Sequence, residues 1–361
     1  MTLSTFSYKP DWARAQARWD AFWDLAPLDR PCLCVTAPRA DGASVELPPL
    51  ASAQDRWLNP EYVLATALKH LEATYLGGET PPAAPYFMAA TTMGCGEHLV
   101  FHEGGIALRP TMASLDQPLG WHPGPEDPWR PRVAAICNRL LDEAPGRFIV
   151  PVPGQFEHLD LLSMLRGEGL MLDLVTAPEL CTARLVEMRE LSAENASYLQ
   201  GLNASRQGEV GYLSWTNLWS RKPFRCAQAD AAAMISPEMF ERFVLPELDE
   251  QAERYGWLHY HTCGYKQHLE LCLSRPYLRV IQYSPSPKEP PNGPAHLEFY
   301  RRVQAAGRAL DLQAPAEHME FLIRHLRPEG VALATGVGTV AEAEELLDRA
   351  GGWAGSHARR D

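Results

Sequence analysis

No run of apolar residues in this chain approaches the length needed to cross a bilayer, which argues against membrane insertion. Runs of Lys and Arg are missing as well. With 33 basic against 45 acidic residues and a formal net charge of −12, the chain lacks the basic face that a phosphate backbone requires, so nucleic acid is not an expected partner. The first residues, MTLSTFSYKPDW, contain neither a basic region followed by an apolar stretch nor a cleavage-like site, and a cytoplasmic protein is expected. Cys32, Cys34, Cys95, Cys137, Cys181, Cys226, Cys263 and Cys272 are scattered through the chain, which suggests reduced thiols and no disulfide framework. Nor does any segment resemble another closely enough to indicate a solenoid. What remains is a chain of 361 residues, 46% hydrophobic and 22% charged, enough for one large α/β barrel or two ordinary domains.

The first third is irregular and rich in Pro and Gly. A helix is expected around Trp12 to Trp23, then a buried strand at PCLCVTAP. A second helix is signalled by NPEYVLATALKHLEATYL, where Asn59 can cap and Pro60 can take the first helical position. From Gly77 to Asp127 turn residues dominate, with short strand candidates at APYFMAA and EHLVFHE. Beyond Asp127 the pattern becomes regular. Helices over 127–144, 157–166, 177–202 and from Ser236 to about Tyr255 alternate with strands RFIVPV, VGYLSW and WLHYH. RVIQYS, ALDLQAP and VALATG follow, separated by GPAHLEFYRRVQAAG and PAEHMEFLIRHL. Such alternation implies βα units and a parallel sheet. Counting PCLCVTAP and APYFMAA gives eight strands, so the expected fold is a (β/α)8 TIM-like barrel. One domain over 1–361 is expected, with 1–126 as an N-terminal extension plus the first irregular barrel units and 127–361 as regular units.

The stretch HYHTCGYK, His259 to Lys266, places His259, His261 and Cys263 on one face of an extended strand. His259 and Cys263 would lie about 13 Å apart along an ideal strand, so one ion cannot use all three. His261 with Cys263 is the plausible metal pair, at the strand's carboxyl end where Gly264 permits a turn and where barrel enzymes carry their chemistry. The competing reading is hydrogen-bonded core histidines and a small buried cysteine. In LATGVGTVAEAEE, too little chain follows Ala341 to complete a dinucleotide-binding unit. Gly336 and Gly338 there could instead present backbone N–H groups to an anionic group at a helix start, or simply form a tight turn. Cys95 and His98 in MGCGEH are read as loop structure. Arg221 and Arg225 in SRKPFRCAQ could hold a carboxylate or be ordinary surface charges.

The H-T-C-G motif after a strand resembles the uroporphyrinogen decarboxylase superfamily, and within it the methyltransferases that act with cobalamin proteins, including methylcobalamin:coenzyme M enzymes. ARWDAFWDLAPLDRPCLCV, LLSMLRGEGLMLDLVTAPE, CAQADAAAMISPEMFERFVLPEL and VIQYSP share the likeness. The resemblance implies a uroporphyrinogen decarboxylase-type barrel and zinc held by His261, Cys263 and a second cysteine after the last strand. Val337 stands at that third position and cannot bind zinc. A replacement ligand is therefore sought among Asp230, Cys226, Glu157, His158 and Tyr283, which the sequence does not rank. No Arg-rich segment like that of the true decarboxylases is present.

The resulting expectation is zinc-assisted methyl or alkyl transfer between a small thiol or methylated substrate and a corrinoid on a partner protein, or another acceptor. Asp230, Tyr283 and His259 are the expected residues for orienting substrate or moving protons. A metal-free decarboxylase or lyase using His261 as general acid, and a barrel retained only for binding, are the alternatives.

Overall fold

The computed structural model describes residues 5–40, 42, 45–85, 88–151, 158–207 and 210–354. Eleven strands occur among them: β1 (Cys32–Pro38), β2 (Thr74–Gly78), β3 (Leu99–Phe101), β4 (Ile106–Leu108), β5 (Tyr212–Leu213), β6 (Trp219–Ser220), β7 (Arg225–Gln228), β8 (Leu258–Cys263), β9 (Leu278–Ser284), β10 (Ala309–Gln313) and β11 (Val331–Gly336). Seven form the central sheet in the order β2-β1-β11-β10-β9-β8-β7, with β3-β4 and β5-β6 as separate antiparallel pairs. Every pairing from β1 through β11 to β7 is parallel, and β2 alone runs antiparallel, against β1. The fold is thus α/β around a mostly parallel sheet.

Several helix boundaries follow from local chemistry visible in the sequence. Asn59 accepts from the backbone N–H groups of Glu61 and Tyr62 and opens the helix Pro60–Ala73. Ser236 accepts from Met239 N–H at the start of Pro237–Phe243, and the following helix, Leu245–Tyr255, stops at Gly256, whose φ of 79° suits glycine. The long segment after Ala177 is one helix, Pro178–Gln207.

The strand expectations need correction at three places. The described part of RFIVPV, through Pro151, contributes only an isolated bridge from Ile149 to Ala83, consistent with Pro151 lacking the N–H a ladder needs. Tyr212–Leu213 of VGYLSW pairs in the small β5-β6 hairpin and not in the central sheet. In APYFMAA, Met88 onward forms a 3-10 turn, and Tyr86 and Phe87 lie outside the described residues. Two central strands, β2 and β7, fall where the sequence was read as helix end and loop.

The amino-terminal end of the sheet is closed by aromatic packing. Trp12, Trp19, Phe22 and Trp23 of the helix Trp12–Asp24 pack with Trp219, Phe224 and the sheet residues Cys32, Val280, Ala309 and Ala332. Trp23 stacks on Trp257 at 5.8 Å and its indole N–H donates to the Trp219 carbonyl at 2.8 Å. A larger core lies between the outward sheet face and the helices, and includes Tyr260, Ile281, Tyr283 and Leu312. Among the described residues no helix is long and apolar enough to cross a membrane.

A buried carboxylate joins β1, the N-terminal helix and the turn after β2. Glu79, 1% exposed, accepts two bonds from the Arg30 guanidinium, at 2.7 and 3.0 Å, one from Leu33 N–H at 2.6 Å, and pairs with Arg18 at 3.0 Å. Removing one partner of such a pair strands a buried charge. Glu79→Ala should lower unfolding free energy by about 3–5 kcal/mol in denaturant titrations; a loss under about 1 kcal/mol would show that Arg30 finds other partners.

Candidate functional site

The parallel register of β7, β8 and β9 sets out rungs across the inward face. Cys226 lies opposite His259 and Gln228 opposite His261; His261 in turn faces Gln282, and Cys263 faces Ser284. Tyr260, between the histidines, points the other way and bonds Tyr265 through its hydroxyl at 2.8 Å. At the carboxyl end Gly264 turns the chain with φ 68°, and a Cβ there would lie 2.7 Å from that of Ser286, so the position admits glycine alone without rearrangement.

Asp230 follows β7 in a short 3-10 turn, Asp230–Met234, which brings its carboxylate over the end of β8. One donor atom each from Asp230, His261 and Cys263 lie within 4.8 Å of one another. His261 Nε2 is 3.8 Å from Asp230 Oδ1. Its Nδ1 bonds Gln282 Oε1, and the Gln282 amide nitrogen donates to Ser284 Oγ at 3.1 Å. With the amide placed this way Gln282 accepts from Nδ1–H, the tautomer that leaves the Nε2 lone pair turned toward Asp230. Burial lowers the His261 pKa, which keeps the ring neutral. Burial first, then the charges of Asp230 and Asp160, raises that of the Cys263 thiol. Trp215, partly exposed, stands edge-on to the His261 ring at 5.0 Å.

Asp160, at the start of the helix His158–Arg166, supports the turn that carries Asp230. Its carboxylate accepts the N–H groups of Asp230 and Ala231, each at 2.9 Å, and lies 3.5 Å from the Gln228 amide nitrogen. Burial pushes its pKa up to about 6.

One rung toward the amino end, His259 is fully buried, with Nε2 3.1 Å from Asp311 Oδ2. Asp311 also accepts from Thr216 Oγ1 at 2.7 Å. Burial opposes a charge on His259, yet Cys226 and Asp311 together raise its pKa to about 10. His259 therefore sits beneath the Asp230 group, tied to Asp311.

The other expected residues lie elsewhere. Tyr283 faces outward, fully buried, with its hydroxyl donating to Glu289 at 3.0 Å and its ring against Phe299 at 4.7 Å. The N–H groups of Gly338 and Thr339 donate to the Glu342 carboxylate, at 2.9 and 3.1 Å, while Glu342 N–H donates to Thr339 Oγ1 at 3.2 Å. The loop thus closes on its own capping box, and its N–H donors are already taken by a carboxylate. Gly336 ends β11 beside Thr36, and Val337 packs partly against the main core. His158 bonds Ser192 at 2.6 Å and Glu247 at 3.1 Å, inside the helical layer. Arg221 pairs with Asp20 at 2.9 Å, and Arg225 begins β7, at the end away from Asp230. Cys95 is buried against the Thr91 carbonyl, and His98 closes a 3-10 turn. Glu157 lies outside the described residues.

Asp160, Gln282, Trp215 and Asp311 belong to this neighbourhood and were not singled out from sequence. Gln282 and Asp311 did leave a signal, a polar side chain in the middle of an apolar strand, as Asp160 did in the apolar helix HLDLLSML.

No family model matches the chain, and no curated protein does. Seven solved chains match it. One, a methyltransferase from Methanosarcina mazei, superposes with a TM-score of 0.59 at 15% identity, covering 94% of this chain and 98% of that one. The two proteins share a fold over almost their whole lengths.

The Asp160 shift has a defined consequence for stability. A folded-state pKa of about 6 lies above the ordinary value for aspartate, so the folded chain binds this proton more tightly than the unfolded chain does. Its contribution is present below pH of about 4 and is lost as pH rises through about 6, amounting to about 3 kcal/mol. The unfolding free energy of wild type minus that of Asp160→Asn should fall by that order between those pH values; a difference constant with pH would contradict the assignment.

Proposed function

We propose that this protein is a zinc-dependent methyl or alkyl transferase of the uroporphyrinogen decarboxylase type, with Asp230, His261 and Cys263 holding the metal. The convergence of those three donors at the carboxyl end of β8 carries the reading. Their chemistry suits zinc: one carboxylate, one neutral imidazole and one thiol, leaving room for a fourth, exchangeable ligand. Asp230 takes the place that Val337 leaves unfilled.

Bound zinc would supply the positive charge that lets a substrate thiol exist as thiolate at neutral pH. The protein's own groups do the positioning. Gln282 holds the His261 ring with Nε2 free, and Asp160 fixes the turn that aims Asp230. Cys263, exposed at the strand end, would bind the metal as its thiolate. His259, paired with Asp311, lies one rung below His261 on the same face of the sheet.

The charge around the site also selects the substrate. The ionised groups that most perturb Asp160, His261 and Cys263 are aspartates and His259, with no Lys or Arg among them. Lys266, three residues past Cys263, is held by Glu289 at 2.9 Å and lies 3.0 Å from His296 Nδ1. A neutral or cationic methylated substrate, resting beside the exposed indole of Trp215, fits this mouth better than one with an anionic head group. That no arginine is among those groups, of the described residues, weighs against decarboxylation of a polycarboxylate. The exchange partner is a corrinoid on a second protein, in keeping with the sequence resemblance.

Purified wild type should carry close to one zinc per chain, lost in Cys263→Ser and Asp230→Ala, and should demethylate methylcobalamin in the presence of small thiols only when zinc is loaded. Gln282→Leu should weaken zinc binding about 10- to 100-fold without unfolding the chain. A folded wild type that takes up no zinc would overturn the proposal.

A further inference from the structure

At the other end of the sheet, where the chain enters β10 and β11, a cavity of about 740 Å³ opens between the helices Leu297–Ala305 and Met319–His325. Four arginines line it, Arg301, Arg308, Arg324 and Arg327, against one carboxylate, Glu329. In a chain of net charge −12 this is a local reversal of sign.

The arginines differ in how well they are satisfied. Arg324 is paired with Glu320 at 2.8 Å. Arg327 donates to the Gln304 carbonyl at 2.7 Å; Arg308 donates to those of Ala306 and Leu273, at 2.9 and 3.1 Å. Carbonyls at helix carboxyl ends explain why cations gather here, but they neutralise no charge. Arg308 keeps its Nε buried without a partner, and Arg301, exposed at the cavity, makes no hydrogen bond or ion pair among the described residues. Arg279 lies beside Arg308; burial and that neighbour lower its pKa, while the Asp24 carboxylate opposes them. Among the described lining residues only Arg324 has a carboxylate partner, so the cavity carries a net positive charge that an anion would offset.

We infer that this cavity binds a small phosphate-bearing anion, a di- or triphosphate, through Arg301, Arg308 and Arg327. The planar guanidinium fork matches phosphate oxygens bidentately, and the volume falls within the roughly 300–1,000 Å³ usual for small-ligand sites, more than a lone phosphate fills. The site lies at the opposite end of the strands from Asp230, His261 and Cys263, and it does not depend on the methyl-transfer reading.

Calorimetric titration of the full chain in metal-free buffer tests this with inorganic triphosphate, ATP and adenosine as probes. Triphosphate and ATP should bind, more weakly as salt is raised, and adenosine should not. Equal affinities would assign recognition to the phosphate chain, and a tighter ATP would assign it to a nucleotide. Arg301→Ala, an exposed change with no internal partner to lose, should weaken binding about tenfold or more while leaving the unfolding midpoint unchanged. Arg301→Lys should restore part of the loss. Absence of binding by both phosphate probes, or binding unaltered in Arg301→Ala, would overturn the inference.

Discussion

The period of two in β8 is the constraint on which the site depends. Parallel partners on both sides lock the strand's register, and a shift of one residue would send His259, His261 and Cys263 into the helical layer and Tyr260 into the sheet's inward face. Everything else at the site is placed relative to that file. β7 delivers Asp230 just past its own end, and β9 supplies the Gln282 that orients His261. Gly264 lets the chain leave immediately after Cys263.

The remainder of the fold packs the opposite end of the sheet. The helix Trp12–Asp24 carries three tryptophans and Phe22 into the amino ends of the strands, and the Glu79 carboxylate binds Arg30, Arg18 and the start of β1 together. Burying a charge in this way stabilises only because each oxygen has charged or N–H partners. The polar inward face toward the carboxyl end follows the same rule: His259 with Asp311, Asp311 with Thr216, Asp160 with two backbone N–H groups.

Much of this was legible in the sequence. Alternation of helix and strand after Asp127 predicted a parallel α/β sheet, and β1, β8, β9, β10 and β11 lie where the pattern put them. Short strands were the weak point. A two-residue hairpin strand such as Tyr212–Leu213 and a four-residue one such as Arg225–Gln228 carry too few residues to show a period. His261 and Cys263 were readable because glycine and strand alternation bracket them. Asp230 was one of several candidate third ligands, since only the fold reveals which strand end lies next to β8. Tyr283 was misjudged by parity: with Gln282 inward, its neighbour must point outward. Gly338 is not available to an anion, because Glu342, four residues ahead, already accepts its N–H and that of Thr339, while Gly336 belongs to the end of β11.

The central claim is that Asp230, His261 and Cys263 form one zinc centre. X-ray absorption at the zinc edge of the reconstituted protein tests it most directly. One sulfur at about 2.3 Å and nitrogen or oxygen neighbours at about 2.0–2.2 Å, including one imidazole, are expected, with the sulfur shell lost in Cys263→Ser. A shell without sulfur, or with two or more sulfurs, would contradict it.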